Sequence, residues 1–357
     1  MARVGKLERI AAEAGISPNT VLRVLRGQNK EVWPSAVRRA AEIRKIAMKF
    51  GYLPNASARS MRRGSFNCVA LLLSTDRGRS YLPDELFNGI HDALNERAIR
   101  LVVSKLGDEQ LTSIQVMPAI LREWSCDGLL INYTDRVPTQ MIRLIEKYQI
   151  PSIWVNRKLE SDCICYDDFG GSAAATQHLL KLGHRKIAYL DFVAKAQWDV
   201  AHYSRTDRYE GYAHAMRQAG LTPTPRERFA GVESEDRLNT TTALLKQNDR
   251  PTAILSYDAG TRVLLAAAMA GLEVPRDLSL LSFSLQHDGA ADRRGEMFIG
   301  LSIGAMGLPA EKAGHRAVQM LLRKVAAPEK DFPACVLPLE FHAGDTCGPA
   351  ATEESLR

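Results

Sequence analysis

In the first fifty residues, apolar side chains recur at helical spacing in three short blocks. Leu7, Ile10, Ala11 and Ala14 share one face and predict a helix over 7–13. Gly15 stops that helix with the φ freedom a tight turn needs. Ser17 is a good N-cap, and Pro18 suits the first helical position, where its missing N–H costs nothing. In the second helix Val21, Val24 and Leu25 face inward, while Ser17, Pro18, Asn19, Thr20 and Arg23 face out. After a polar loop at 27–31, residues 35–50 form a third amphipathic run, with Val37, Ala40, Ala41, Ile43, Ile46, Ala47 and Phe50 inward and Gly51 as its stop. Pro54 then breaks the chain, Asn55 can cap two turns over 56–62, and Ala58 and Met61 fall on one side of them. So short a helix is marginal alone and needs a partner surface to form.

From Asn67 the pattern changes to short apolar runs alternating with helical stretches. Strands are expected at 69–73, 99–103, 128–132, 152–155, 163–166, 186–190, 253–257, 278–283 and 299–303. Helices are expected at 86–96, 115–123, 139–147, 170–182, 205–219, 239–247, 261–269 and 310–324. Such alternation predicts parallel, doubly wound α/β sheets. Two units of roughly 130 residues each would leave a cleft between them. The fold class expected is therefore an all-α helix-turn-helix head followed by a two-lobed α/β core. The divisions are 1–53 for the head, 54–66 for a hinge helix or linker, 67–342 for the core, and 343–357 for a polar tail expected to be frayed.

Charge sharpens the division. Residues 1–65 hold 14 Lys and Arg against 4 Asp and Glu, a net of +10, so with +6 overall the other 292 residues carry −4. A basic head on a mildly acidic body is the footprint of a DNA-binding domain attached to something that does not bind DNA. Hydrophobic content of 45% and charged content of 25% are ordinary for a globular chain. No stretch approaches eighteen uninterrupted apolar residues and the N-terminus lacks an apolar signal core, which predicts a soluble cytoplasmic protein, associated with the nucleoid if it binds DNA. The six cysteines, Cys68, Cys126, Cys163, Cys165, Cys335 and Cys347, show no C-x-x-C spacing and no His cluster. No metal and no cofactor is expected.

Two short helices joined by a glycine turn make a helix-turn-helix, whose second helix enters the DNA major groove with its N-terminal residues at base edges. Asn19 can pair with adenine, Arg23 with guanine or phosphate, and Pro18 offers apolar contact. The alternative is an αα-hairpin whose polar face meets water. The order of G-[IV]-S, T-V-x-R-V-L, G-Y-x-P-N and A-R-x-[LM] over residues 7–63 resembles the lactose-repressor and galactose-repressor family of bacterial transcription regulators. The resemblance implies that Ser17 and Thr20 contact phosphate, that Pro18, Asn19 and Arg23 face bases, and that Asn55, Ala58, Arg59 and Met61 belong to a hinge helix on the operator. Met61 stands where the family has a leucine that wedges into the minor groove, and methionine is an acceptable apolar wedge. About four extra residues, roughly one helical turn, lie between Arg26 and Gly51.

The body continues the resemblance, through D-x-x-G-G at 167–171, HLLKLGHRKIAYL at 178–190, R-x-x-G-Y at 208–212, PTAILSYD at 251–258 and LPAEKAGHRAVQMLL at 308–322. In that family the core is similar to periplasmic sugar-binding proteins, and the resemblance implies a small effector, a carbohydrate, contacted by Ser74, Asn156, Arg208 and Asp258. Asp258 and Asn156 can accept sugar hydroxyls, and Arg208 can bridge two of them or hold an anion. Tyr257-Asp258 stands for the family's usual Asn-Asp, and Phe283-Ser284, followed by a polar insertion at 285–296, for its usual Phe-Asp. Trp154, Trp198 and Tyr257 could stack on a sugar ring or belong to the core, and His184 and His315 are expected to be structural.

Two functions compete. One is a homodimeric regulator, a repressor, that binds a palindromic operator and is switched by its cleft ligand; its dimer contacts are expected to include Leu86, Ile90, Leu94 and the helix at 308–322. The other is a sugar-processing enzyme with the head as accessory. Against it, the sequence has no nucleophile elbow, phosphate loop or zinc signature, and Asp167 and Asp168, being adjacent, do not form a glycosidase pair.

Overall fold

Gly15 turns the chain at φ +63° between α1 (Lys6–Ala14) and α2 (Pro18–Leu25), and α3 (Pro34–Lys49) closes a three-helix head. The structure, a computed structural model, describes residues 6–25, 33–50, 65–117, 120, 125–193, 201–257, 260–283 and 300–350. The chain divides into two units, Met1–Phe66 and Asn67–Arg357. Ile10, Ala11, Val21, Val24, Ala40, Ile43 and Ala47 form the head's core. Val37 and Ala41, expected inward, are exposed. The heptad row through Ala40, Ile43 and Ala47 is the one that meets α1 and α2, and Val37 lies beside it.

The second unit is built on two sheets. In lobe 1, β1 (Cys68–Ser74), β2 (Arg100–Leu106), β3 (Gly128–Asn132), β4 (Ser152–Val155), β5 (Cys163–Asp167) and β10 (Cys335–Pro338) lie in the order β10-β5-β4-β3-β1-β2. All its pairings are parallel. In lobe 2, β6 (Ile187–Leu190), β7 (Ala253–Ser256), β8 (Ser279–Ser282), β9 (Gly304–Gly307) and β11 (Glu340–His342) lie in the order β11-β9-β8-β7-β6. Only β11 runs antiparallel, on the β9 edge. The helices are α4 (Asp84–Asn95), α5 (Asp108–Leu111), α6 (Thr139–Lys147), α7 (Asp168–Lys181), α8 (Tyr203–Gln218), α9 (Arg237–Leu245), α10 (Thr261–Met269) and α11 (Ala310–Ala326).

Strand alternation explains the cores. In lobe 2, Ala188, Leu190, Ile254 and Leu280 pack with α9 and α10, while Ile187, Tyr189, Ala253 and Leu255 pack with α7 and α8. In lobe 1, Val69, Leu71 and Leu73 meet Leu86, Ile90, Leu94, Ala313, Ala317 and Leu321. Leu86, Ile90 and Leu94, expected as dimer contacts, are thus the buried seam between α4 and α11. A Cβ on Gly89 would come within 2.2 Å of the Glu311 carbonyl oxygen, so the two helices touch through backbone and leave those leucines and isoleucine nothing to offer a second chain.

Two further expectations changed, and a third falls partly outside the described residues. The strand expected at 299–303 is displaced to Gly304–Gly307, because Ser302 is bonded to Asp345 instead: the Asp345 N–H donates to its carbonyl at 2.6 Å and the Ser302 N–H donates to the Asp345 carboxylate at 2.9 Å. The helix expected at 115–123 lies partly outside the described residues. Residues 344–350, expected as a frayed tail, are knitted into lobe 2. The Thr346 carbonyl accepts from Leu280 N–H at 2.8 Å, its hydroxyl donates to the Leu280 carbonyl at 2.7 Å and accepts from Gly304 N–H at 2.8 Å, and the Ala350 N–H reaches the Leu182 carbonyl at 2.8 Å. Small polar residues here serve the sheet backbone, which composition alone does not reveal.

Cys163 and Cys165 are both buried on β5. Among the described residues no group of three His, Cys, Asp or Glu is placed to hold a metal ion, and no helix is long and apolar enough to cross a membrane.

Candidate functional site

The head presents one polar surface. Ser17 caps α2, its hydroxyl accepting the Thr20 N–H at 3.2 Å and lying 2.9 Å from the Thr20 hydroxyl. Because Val21 and Val24 are buried beneath, Ser17, Pro18, Asn19 and Arg23 stand exposed and Thr20 half-exposed along the N-terminal turns. That is the placement groove reading requires. Asn55, Ala58, Arg59 and Met61 lie outside the described residues, as do Trp198 and the 285–296 insertion.

The second site lies where the carboxyl ends of both sheets meet, the usual ligand position in open α/β folds. A cavity of about 390 Å³ is lined there by Gly78, Asp135 and Arg136 from lobe 1 and His202, Arg205 and Tyr257 from lobe 2, among others. The chain crosses between the lobes at Asp167–Asp168, at 307–309 and at Leu339.

Local sequence explains how α8 enters this site. Gly211 lets α8 approach the start of α7 so closely that a Cβ would come within 2.2 Å of the Phe169 carbonyl oxygen. Three residues earlier on the same face, Arg208 reaches Asp168, its Nε donating to Oδ1 at 2.6 Å. The guanidinium also lies over the rings of Phe283 at 4.4 Å and Tyr257 at 4.9 Å. Burial works against the Arg208 charge, but Asp168 outweighs it and the pKa is raised. Asp168 Oδ2 is buried with no protein partner among the described residues, leaving an acceptor open beside the pair. Tyr257, a candidate stacking platform, carries Arg205 on its ring at 4.1 Å as well, and its hydroxyl is 2.9 Å from the Ser204 hydroxyl.

Hydrogen bonds also join the lobes directly. His202 Nε2 is 2.9 Å from the Asn156 carbonyl oxygen and Nδ1 is 2.8 Å from the Ser204 hydroxyl. Burial lowers the His202 pKa, the Asn156 carbonyl only partly opposing it, so the ring is neutral at pH 7. The Tyr166 N–H donates to the Tyr203 hydroxyl at 2.9 Å, and Lys158 meets Asp207 at 2.5 Å. Asn156 itself has φ +59°, a left-handed conformation that non-glycine residues adopt at a cost and that clusters at functional sites.

Of the four effector residues expected from sequence, two border the cavity through residues that line it: Asn156 by its carbonyl oxygen on His202, and Arg208 by its guanidinium over Tyr257. Ser74 is buried, and its hydroxyl accepts the Asp76 N–H at 3.1 Å at the end of β1. Asp258 lies outside the described residues. Trp154 is a buried core residue whose ring carries Arg157 at 5.4 Å. Sequence reading missed Asp168, His202 and Arg205 as site residues. The signal for Asp168 was its fixed place beside a glycine pair at a helix start; His202 and Arg205 carried none. His184 is structural, Nδ1 lying 2.9 Å from the Thr252 hydroxyl and Nε2 2.9 Å from the Ser279 hydroxyl and 3.1 Å from the Gly348 carbonyl oxygen.

Comparison with known proteins agrees with this architecture. A family model described as a periplasmic binding protein-like domain matches residues 176–347. The HTH-type transcriptional regulator GntR of Pseudomonas aeruginosa is 26% identical over 355 residues, spanning 95% of both chains. The ribose operon repressor of Escherichia coli is 25% identical over 334 residues, covering 90% of this chain and 93% of that one. Among solved structures, the lac repressor dimer bound to operator and an anti-inducer superposes with a TM-score of 0.73 at 17% identity, over 97% of this chain and all of that one. A ribose-bound regulator from Enterococcus faecium superposes with a TM-score of 0.58 at 21% identity, over 80% of this chain and all of that one.

Proposed function

We infer that this chain, which belongs to the lactose-repressor and galactose-repressor family of bacterial transcriptional regulators, represses by binding a palindromic operator as a homodimer and is switched by a small polar ligand, a sugar or sugar derivative, in the cleft between its lobes. It is a DNA-binding regulator and not an enzyme, and such a regulator works in the cytoplasm, on the nucleoid. One observation carries the reading: a helix-turn-helix with an exposed Ser17, Pro18, Asn19 and Arg23 face precedes a two-lobed core in a chain whose relatives over nine-tenths of its length are transcriptional regulators.

The ligand is read as acting through the angle between the lobes, since the cavity is lined from both and the lobes are also joined by His202 to Asn156 and Lys158 to Asp207. A ligand that binds one lobe arrangement better shifts the protein toward it and so changes DNA affinity. For the dimer, the apolar face of α10 is the better surface, because Leu265 and Met269, one turn apart, are half exposed whereas Leu86 and Ile90 are core.

The test is DNA affinity measured with and without sugars and sugar derivatives, for the intact protein and for Arg208→Gln. A compound that changes affinity about tenfold or more in the former and not in the latter supports the reading, a coupling typical of two linked sites. Turnover of the compound, with DNA affinity unmoved, would sink it.

A further inference from the structure

The charges facing the cavity are uneven. Arg136 from lobe 1 and Arg205 from lobe 2 line it, against Asp135 as the one carboxylate among the described lining residues. Arg205 is held by a carboxylate outside that lining, and Arg136 by one outside it and by Asp135 within it. Arg205 pairs with Asp191, whose side chain is 3% exposed, and lies over Tyr257. Arg136 Nη2 meets Asp76 at 3.0 Å, and its Nε lies 3.4 Å from Asp135.

The backbone under Arg136 is also fixed. Its φ is +42°, and the conformation is pinned from below by the buried Arg79, whose Nη2 donates to the Arg136 carbonyl at 2.6 Å while its Nη1 takes both oxygens of Asp108 at 2.8 and 3.0 Å. A costly conformation kept by a buried support is how a binding group is set in place before its ligand arrives. His202, kept neutral by burial, adds no charge of its own to the cavity.

We propose that the effector is a small polyhydroxylated anion, a sugar acid or a sugar phosphate, whose negative group is gripped by Arg205 from lobe 2 and Arg136 from lobe 1. This rests on the regulator reading above and names its ligand class. Guanidinium forks match carboxylate and phosphate oxygens in pairs. Grips from opposite lobes make charge the feature that draws them together. The open Asp168 Oδ2 and the Arg208 edge then remain for the ligand's hydroxyls.

The experiment is calorimetric titration of the full-length protein with gluconate and glucuronate, and with glucose 6-phosphate and ribose 5-phosphate. Glucose, ribose and glucitol serve as neutral counterparts, and DNA binding is followed in parallel. At least one acid or phosphate should bind about thirtyfold or more tightly than its neutral counterpart, as charged hydrogen bonds imply. Whichever arm binds tells carboxylate from phosphate. Arg136→Gln, at a half-exposed position that can be changed without disturbing the core, should weaken the anion about tenfold or more and leave neutral sugars unmoved, and Arg205→Gln, compared only once its folding is checked because it strands the buried Asp191, should weaken the anion likewise. Equal or tighter binding of a neutral counterpart, no binding by any compound tested, or unchanged anion affinity in Arg136→Gln overturns the proposal. A neutral sugar that alters operator affinity would overturn it and leave the regulator reading standing; loss of that reading would show instead as no sequence-specific DNA binding at all.

Discussion

Arg208 Nε donates to Asp168 Oδ1 at 2.6 Å with the two side chains only 5% and 1% exposed, so the pair fixes the start of α8 against the start of α7 at the edge of the cleft. Removing one partner from such a pair strands a buried charge, which costs about 3–5 kcal/mol, whereas replacing both with apolar groups costs much less. Asp168→Leu and Arg208→Met should each lower unfolding stability in denaturant by about that amount, and the double replacement by less than either. Additive losses would mean that the two charges act independently.

The C-terminal segment gives a second prediction. Ending the chain after Ala343 removes the Thr346 and Gly348 bonds to Leu280, Gly304, Ser279 and His184 and takes Gly344 off the Gly304 backbone against which it packs. With each such bond worth about 0.5–1.5 kcal/mol net, the loss is on the order of 3 kcal/mol, a fall in Tm of roughly 6–12 °C for a unit of this size. A melting curve that did not move would restore the reading of these residues as a frayed tail.

Acid sensitivity follows from buried histidines, His184 and His202, and from the half-buried His178. Burial lowers the pKa of both His184 and His202 from the ordinary 6.5. The unfolded chain therefore binds protons that the folded one refuses, and stability, fully present above about pH 6.5, falls as pH drops below it until the folded value is passed. Denaturant midpoints taken between pH 7 and 5 should decline, and His184→Asn should flatten the decline by up to about 1.4 kcal/mol per pH unit. An unchanged slope in that variant would show that His184 does not titrate with unfolding.

The head was legible because its signals are local. Gly15, the Ser17 cap and the Val21–Val24 spacing each act within one turn, and the structure returns α2 and its exposed face where they put it. Apolar strands such as Gly128–Asn132 and Ser152–Val155 were legible for the same reason, their burial being written in consecutive residues. Gly304–Gly307 was not, since GAMG has little strand propensity and is held by Thr346, some forty residues on. The same limit hid half the cleft. Arg208 was visible in a motif, but its capture by Asp168 and the stacking of Arg205 and Arg208 on Tyr257 join residues 40 to 52 positions apart, which no periodicity records. Leu86 and Ile90 failed in the opposite direction. Apolar spacing marks a face to be buried, and only the Gly89–Glu311 approach shows that α11 of the same chain buries it.

The account stands most directly on whether the α2 face reads DNA. The measurement is selection from a random duplex pool by the full-length protein at about 150 mM salt, where non-specific phosphate binding is suppressed, with Arg23→Ala in parallel and both repeated with the cleft ligands above. The account predicts enrichment of a palindrome whose flanks blur in Arg23→Ala, since one base-reading arginine contributes about 1–3 kcal/mol of discrimination. No enriched sequence with or without ligand, or the same palindrome enriched equally well by Arg23→Ala, would contradict it.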